Sequence, residues 1–214
     1  IFEGVFLLGD YSQKIKDEVL AQGELLSVKL VSSLLEKEKI ATHITDARKL
    51  IITDENFGNA QPIAGVSKEN VITHFKENKD VLNIVTGFIS SNKNGETTTL
   101  GRNGSNYTAA LLANYLDADE LQNYTHVNGI FTANPDLVAD AKKIEQLSFS
   151  EANELANFGA NILHAKTMIP LLEKNINLRI LNTFNREDKG TLITSESSAK
   201  GIKSISTIDN VALL

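Results

Sequence analysis

The six consecutive residues Gly101-Arg102-Asn103-Gly104-Ser105-Asn106 carry the strongest hint of chemistry in this chain. Glycines let a backbone approach a ligand closely, and arginine offers a planar cation with five donors. The helix-forming run that follows, Tyr107 to Leu116, supplies a donor-rich N-terminus that favours an anion. A loop of this kind suits a carboxylate or a phosphate. It is neither a Walker A nor a GxGxxG pattern, and an ordinary glycine-rich turn ahead of a helix explains the same residues equally well. The four histidines, His43, His74, His126 and His164, lack metal-ligand spacing, and without a single cysteine a zinc site is not expected. His164 reads as a helix-start residue and His126 as an exposed polar residue at a strand end.

Such a loop needs elements on both sides to hold it. Before it, Val81 to Ile89 is β-branched and nearly continuous, which predicts a strand covered on both faces, and Ser90 to Glu96 reads as a turn. After it comes a helix over residues 107–116, with Ser105 or Asn106 as its N-cap. Near the start, Leu26, Leu30 and Leu34 recur at i+4 with Val31 and Leu35 beside them, predicting a helix from Asp17 to Lys39 that buries this face. Downstream, strands are expected at Leu121 to Val127, Asn177 to Leu181 and Thr191 to Ile193, and helices at Phe149 to Ala156 and His164 to Lys174. Asn128-Gly129 and Asn185 to Gly190 read as turns, with a helix break near Gly159. Alternation of strands and helices argues a layered α/β fold.

A chain of 214 residues can bury one sizeable core, and its 42% hydrophobic and 22% charged composition is ordinary for a globular domain. The formal charge of −6 and the lack of a basic run exclude nucleic acid as an expected partner. No apolar stretch is long enough to span a bilayer, so no membrane partner is expected, and cysteine-free composition fits the cytoplasm. The first residue is Ile rather than Met, which predicts a chain that begins within a longer gene product.

Thr99-Leu100-Gly101-Arg102-Asn103-Gly104-Ser105, followed by Tyr107-Thr108-Ala109-Ala110, resembles the signature loop of aspartate kinases, in the form used by bifunctional aspartokinase–homoserine dehydrogenases. Thr86-Gly87-Phe88-Ile89, Asn157-Phe158-Gly159-Ala160, Leu163-His164 and Ile180-Leu181-Asn182-Thr183 reinforce it, as do Gln22-Gly23-Glu24 and Asp46-Ala47-Arg48 upstream. The resemblance implies an amino-acid kinase α/β/α sandwich with a mainly parallel sheet over residues 1–194. It implies a linker over 195–204, likeliest within Ser195 to Lys200, and the first strand of an ACT-type regulatory domain over 205–214. The implied activity is transfer of the γ-phosphoryl of ATP, with Mg²⁺, to the side-chain carboxylate of L-aspartate. Implied partners are L-aspartate, ATP, a homo-oligomer and a downstream homoserine dehydrogenase in the same polypeptide.

Carried onto this sequence, the resemblance gives Glu24 as partner of the substrate ammonium, Arg102 as partner of a carboxylate, and Ser105 as a hydrogen-bonding group beside them. A planar guanidinium and a facing carboxylate together can read a zwitterion. The nucleotide side departs from the family. The Lys-Phe-Gly-Gly-Thr phosphate segment has no counterpart in this sequence, and the Asp after the loop serine is Asn106, so no catalytic residue is certain. Thr-Asp-Val becomes Thr125-His126-Val127, Asp-Pro-Arg becomes Asn134-Pro135-Asp136, and the Lys after Phe-Gly-Ala becomes Asn161. Lys166 is a candidate surrogate cation. Charge changes beside a polyphosphate are each worth several kcal/mol at an effective dielectric of about 20. Weak or absent kinase activity is therefore expected. Two rivals stand beside it: a non-catalytic amino-acid-binding module, and a structural oligomerisation unit.

Overall fold

A computed structural model describes residues 2–135, 137–157, 164–196 and 201–205. The chain divides into two compact units, residues 1–116 and 117–214. Four of the six strand pairings among the described residues are parallel, as the α/β expectation requires.

The first unit starts with α1 (Phe2–Leu8) and the long α2 (Gln13–Lys37), whose N-cap Ser12 accepts from the Ile15 N–H. Strands β1 (Thr42–Thr45) and β3 (Leu82–Val85) pair in parallel, and β2 (Ile52–Thr53), β4 (Ile89–Asn92) and β5 (Thr97–Thr99) form a second sheet. Helices α3 (Ala64–Glu77) and α4 (Gly104–Tyr115) complete the unit. Its core is built from Leu50, Ile51, Val71, Leu100, Leu111 and Tyr115.

Four expectations fail here, each for a physical reason. The strand expected over 81–89 is broken: Thr86 still donates to the Thr45 carbonyl, but Phe88 turns left-handed at φ +67° and Ile89 re-enters a different sheet. The turn expected over Ser90 to Glu96 is confined to residues 93–95; residues 90–92 belong to β4, because Ser90, Thr98 and Thr53 bury their hydroxyls against one another rather than against water. The N-cap of α4 is Asn103 rather than Ser105 or Asn106, which lie inside the first turn. Most consequentially, α2 buries the opposite face. Leu26 and Leu30 are 66% and 63% exposed, with Val31 and Leu34 also exposed, whereas Asp17, Ala21, Val28 and Ser32 are buried. Small or hydrogen-bonded side chains let the helix seat against β1 and β5, and Ser32 bonds Thr42 there. Periodicity showed an amphipathic helix, but partner geometry chose the face.

The second unit orders its strands β6-β8-β9-β7, with β6 at Glu120–Thr125, β7 at Gln146–Ser148, β8 at Asn177–Asn182 and β9 at Thr191–Thr194. Helices α5 (Phe149–Asn157) and α6 (Ala165–Lys174) accompany it, and His164 is the α6 N-cap, accepting from Lys166 N–H through Nδ1. Leu147, Leu171, Leu178, Ile180 and Ile193 are fully or nearly fully buried. A two-pronged ion pair joins Arg179 on β8 to Glu120 on β6 and holds the Glu120 carboxyl below its ordinary range. The break near Gly159, most of the Ser195 to Lys200 linker and the strand after Ile205 lie outside the described residues.

Candidate functional site

The buried positions of α2 fall at 17, 21, 28 and 32, a helical stripe that also contains the half-buried Glu24. The stripe aims Glu24 at the break between β3 and β4. Burial pushes the Glu24 carboxyl above the ordinary range, while the Gly87 backbone N–H facing it partly offsets that by favouring the charged form. Gly87 also sets the approach of the loop helix. A Cβ built there would fall 2.8 Å from Ser105 Cβ and 2.9 Å from Ser105 Oγ, closer than side chains tolerate. Glu24 and Ser105 thus converge on one glycine, and Phe88 N–H donates to Thr108 Oγ1 of α4 at 3.1 Å, fastening the break to the helix.

The loop itself turns on Gly101, at φ +78°, and on Asn103 in the left-handed region. No side chain caps α4; Gly104 N–H donates to the Gly101 carbonyl at 3.0 Å, which leaves the Ser105 and Asn106 amides of the first turn to face an anion. Arg102 is exposed and lines a cleft of about 450 Å³ together with Lys16, Leu20, Phe57, Phe88 and Gly101. Its guanidinium has no ion-pair partner among the described residues. An exposed cation at the mouth of a cleft, with no ion-pair partner among the described residues, can take a carboxylate. Glu24 and Ser105 meet at the Gly87 break, and Arg102 stands three residues before Ser105 in the loop.

Asp46 and Arg48 serve structure. Asp46 accepts from the Arg48 side chain at 2.7–3.1 Å and caps the short 3-10 turn Ala47–Lys49, while Arg48 also donates to Thr97 Oγ1. Asn106, half-buried in the first turn of α4, presents a neutral amide. Mg²⁺ in phosphoryl transfer is held by one or two carboxylates and by substrate phosphates. The amide at 106 does not supply such a ligand, and no cluster of three acidic or histidine side chains occurs among the described residues. Asn106 therefore offers no carboxylate to a metal ion from the start of α4.

In the second unit, parallel pairing puts the C-terminal ends of β6 and β8 side by side, with Thr183 N–H donating to the Thr125 carbonyl at 2.8 Å. Thr125 Oγ1 accepts from the N–H of the exposed His126. Around these ends the lining is amide-rich: Asn128 Oδ1 accepts from Asn182 Nδ2 at 2.7 Å and from Asn185 Nδ2 at 3.3 Å. Asn134 lies on a separate exposed turn, where its carbonyl accepts from Leu137 and Val138. Lys166 sits in the first turn of α6. Asp136 and Asn161 lie outside the described residues.

Several residues escaped the sequence reading. Phe57 and Gly58 form a wall of the Arg102 cleft, Lys16 adds a second cation, and Asp17 is 0% exposed beneath it. Their signal was faint: an acid and a lysine in a helix look like solvated surface, and Phe57-Gly58-Asn59 looks like a loop. Gly87 was flagged only as part of a motif.

A model of the amino acid kinase family matches residues 8–182. The chain is 37% identical to lysine-sensitive aspartokinase 3 of Escherichia coli over 87% of its own length, and covers 42% of that protein. It is 33% identical over its full length to the bifunctional aspartokinase/homoserine dehydrogenase of Buchnera aphidicola, covering 26% of that protein. The chain therefore spans less than half the length of these relatives. Among solved structures it superposes on E. coli aspartokinase III in complex with aspartate and ADP with a TM-score of 0.85, at 35% identity, over 92% of this chain and 45% of that one.

Proposed function

This chain belongs to the amino acid kinase family and has its fold, and on that premise we propose that it is the kinase portion of an aspartate kinase. Its reaction is transfer of the γ-phosphoryl of ATP to the side-chain carboxylate of L-aspartate. A carboxylate oxygen attacks the γ-phosphorus, the bond to the ADP oxygen breaks, and ADP leaves with the electron pair. The observation that carries this reading is the convergence of Glu24 and Ser105 on Gly87, with the unpaired Arg102 three residues before Ser105 in the same loop. That arrangement reads an ammonium and a carboxylate at once. The complex of E. coli aspartokinase III with aspartate and ADP supports aspartate and a nucleotide as the ligands.

Phosphoryl transfer depends on positioning and on charge neutralisation more than on covalent help. Here Glu24, Arg102 and Ser105 orient the amino acid, while the charges expected at 106, 126, 134, 136 and 161 are replaced. Aspartate binding is retained and phosphoryl transfer is weakened. Residues 1–194 form the kinase domain in this reading, with a linker and the start of an ACT-type region behind them, and a homoserine dehydrogenase half follows in the same polypeptide. The full-length match to a bifunctional relative supports that arrangement.

The test is an aspartate-dependent acyl-phosphate assay with MgATP, on this chain and on Asn106→Asp. Slow turnover that rises in Asn106→Asp is expected. Turnover at the same rate in both proteins would remove the claim that position 106 limits transfer, and aspartate-independent ATP consumption would contradict the acceptor assignment.

A further inference from the structure

Asp17 is a fully buried carboxylate on α2, and its contacts reach the two segments that build the Arg102 cleft. Oδ2 accepts from Gly58 N–H at 2.8 Å and from Thr99 N–H at 3.0 Å, and Oδ1 accepts from Thr99 Oγ1 at 2.9 Å. Thr99 ends β5 and stands two residues before Gly101. Its own carbonyl accepts from Ala60 N–H at 2.9 Å, and a Cβ built on Gly101 would lie 2.7 Å from Asn59 Oδ1. The Phe57–Asn59 turn and the start of the anion loop are therefore in contact, and one carboxylate ties both to α2. Glu24 lies seven residues further along the same helix face, two turns or about 10 Å down the axis.

We propose that Asp17 is a positioning residue that fixes the spacing between Glu24, on its own helix, and Arg102, on the loop that follows Thr99. It touches no substrate in this role. Its three accepted bonds set how far the end of β5 stands from α2, and so how far the guanidinium stands from the Glu24 carboxylate. A buried acid serving stability alone would need its oxygens satisfied, but the donors need not all sit at the borders of one cleft. This inference rests on the aspartate-reading assignment for its functional consequence, while its structural content stands independently.

The test compares this chain with Asp17→Asn, which keeps the shape but has one acceptor oxygen for three donors, and with Asp17→Ala. Leu147→Ala, in the buried core of the second unit, serves as a destabilised control. Two readouts are taken: amide hydrogen exchange at Gly58 and Thr99 to Ser105, and aspartate affinity by calorimetry. In Asp17→Asn the exchange of these amides speeds up at least tenfold, that of β1 and β3 stays unchanged, and the aspartate Kd rises at least tenfold. Leu147→Ala loses melting temperature but leaves both readouts in place. Unchanged exchange at residues 99–105 in Asp17→Asn, or an equal loss of affinity in Leu147→Ala, would overturn the inference. Failure of the unmodified chain to bind aspartate would remove the functional assignment, and the exchange data would still decide whether Asp17 sets the loop.

Discussion

The two units handle charge in opposite ways. In the first, every charged group near the candidate site either has a defined structural partner or is left unpaired where a ligand could use it. Asp17 is satisfied by three donors, Arg48 is held by Asp46, and Arg102 has no ion-pair partner among the described residues. In the second, the strand ends where the resemblance expects phosphate-directed charge are edged by Asn128, Asn182, Asn185 and Thr125. Among the described residues, that unit's ion pairs join Arg179 to Glu120, Lys143 to Asp188, Lys174 to Asp117 and Lys203 to Glu151. On the proposed reading, one apolar framework is kept while the polar function of one part is reduced, because packing and ligand charge sit on different residues.

The largest effect that would break this contrast lies at Gly87. A methyl group there pushes Ser105 and the loop helix away from Glu24, and misplacement by about 1 Å can cost roughly 100-fold. Gly87→Ala is expected to lower aspartate affinity by that order in calorimetry while far-UV circular dichroism stays native. Arg102→Ala removes charge-assisted bonds worth about 1.5–3 kcal/mol, so aspartate affinity should drop roughly 10- to 100-fold with no change in melting temperature.

Glu24 sharpens the contrast because its two roles oppose each other. Its raised pKa means that the ionised form is disfavoured by folding, so its contribution to stability is present at low pH and is lost as pH rises through the folded value. Binding an ammonium needs that same ionised form. Aspartate affinity should therefore fall on acidification, starting above the ordinary glutamate range. Glu24→Gln should flatten the profile, weaken binding about tenfold, and raise the melting temperature at neutral pH. The smallest effect belongs to Lys166. As a partly exposed surrogate cation it is worth about 0.2–1 kcal/mol, so Lys166→Ala should change nucleotide affinity only about two- to fivefold in a titration with MgADP.

How much of this was readable beforehand differs by residue type. The loop from Gly101 and the helix after it were legible because glycine, arginine and a run of helix formers each restrict the backbone in a known way. The strand β4 was not, since Ser90, Ser91 and Asn92 look like a turn until Thr98 of β5, the Arg48 carbonyl and the Glu96 carboxylate supply partners for their hydroxyls and amide. The face of α2 was read backwards because leucines at i+4 outweighed Asp17, Ala21 and Ser32 in any hydropathy argument, although the latter three meet the sheets. Glu24 became visible as a site residue only through family resemblance. Asp17 carried no local signal at all, because its donors lie 41 and 82 positions away.

The most direct measurement is isothermal titration of this chain with L-aspartate, run beside Arg102→Ala. A saturable one-to-one heat in the unmodified chain whose Kd rises roughly 10- to 100-fold in Arg102→Ala is the predicted result. The absence of any heat, or the same heat in both proteins, would contradict an aspartate reader built from Glu24, Arg102 and Ser105.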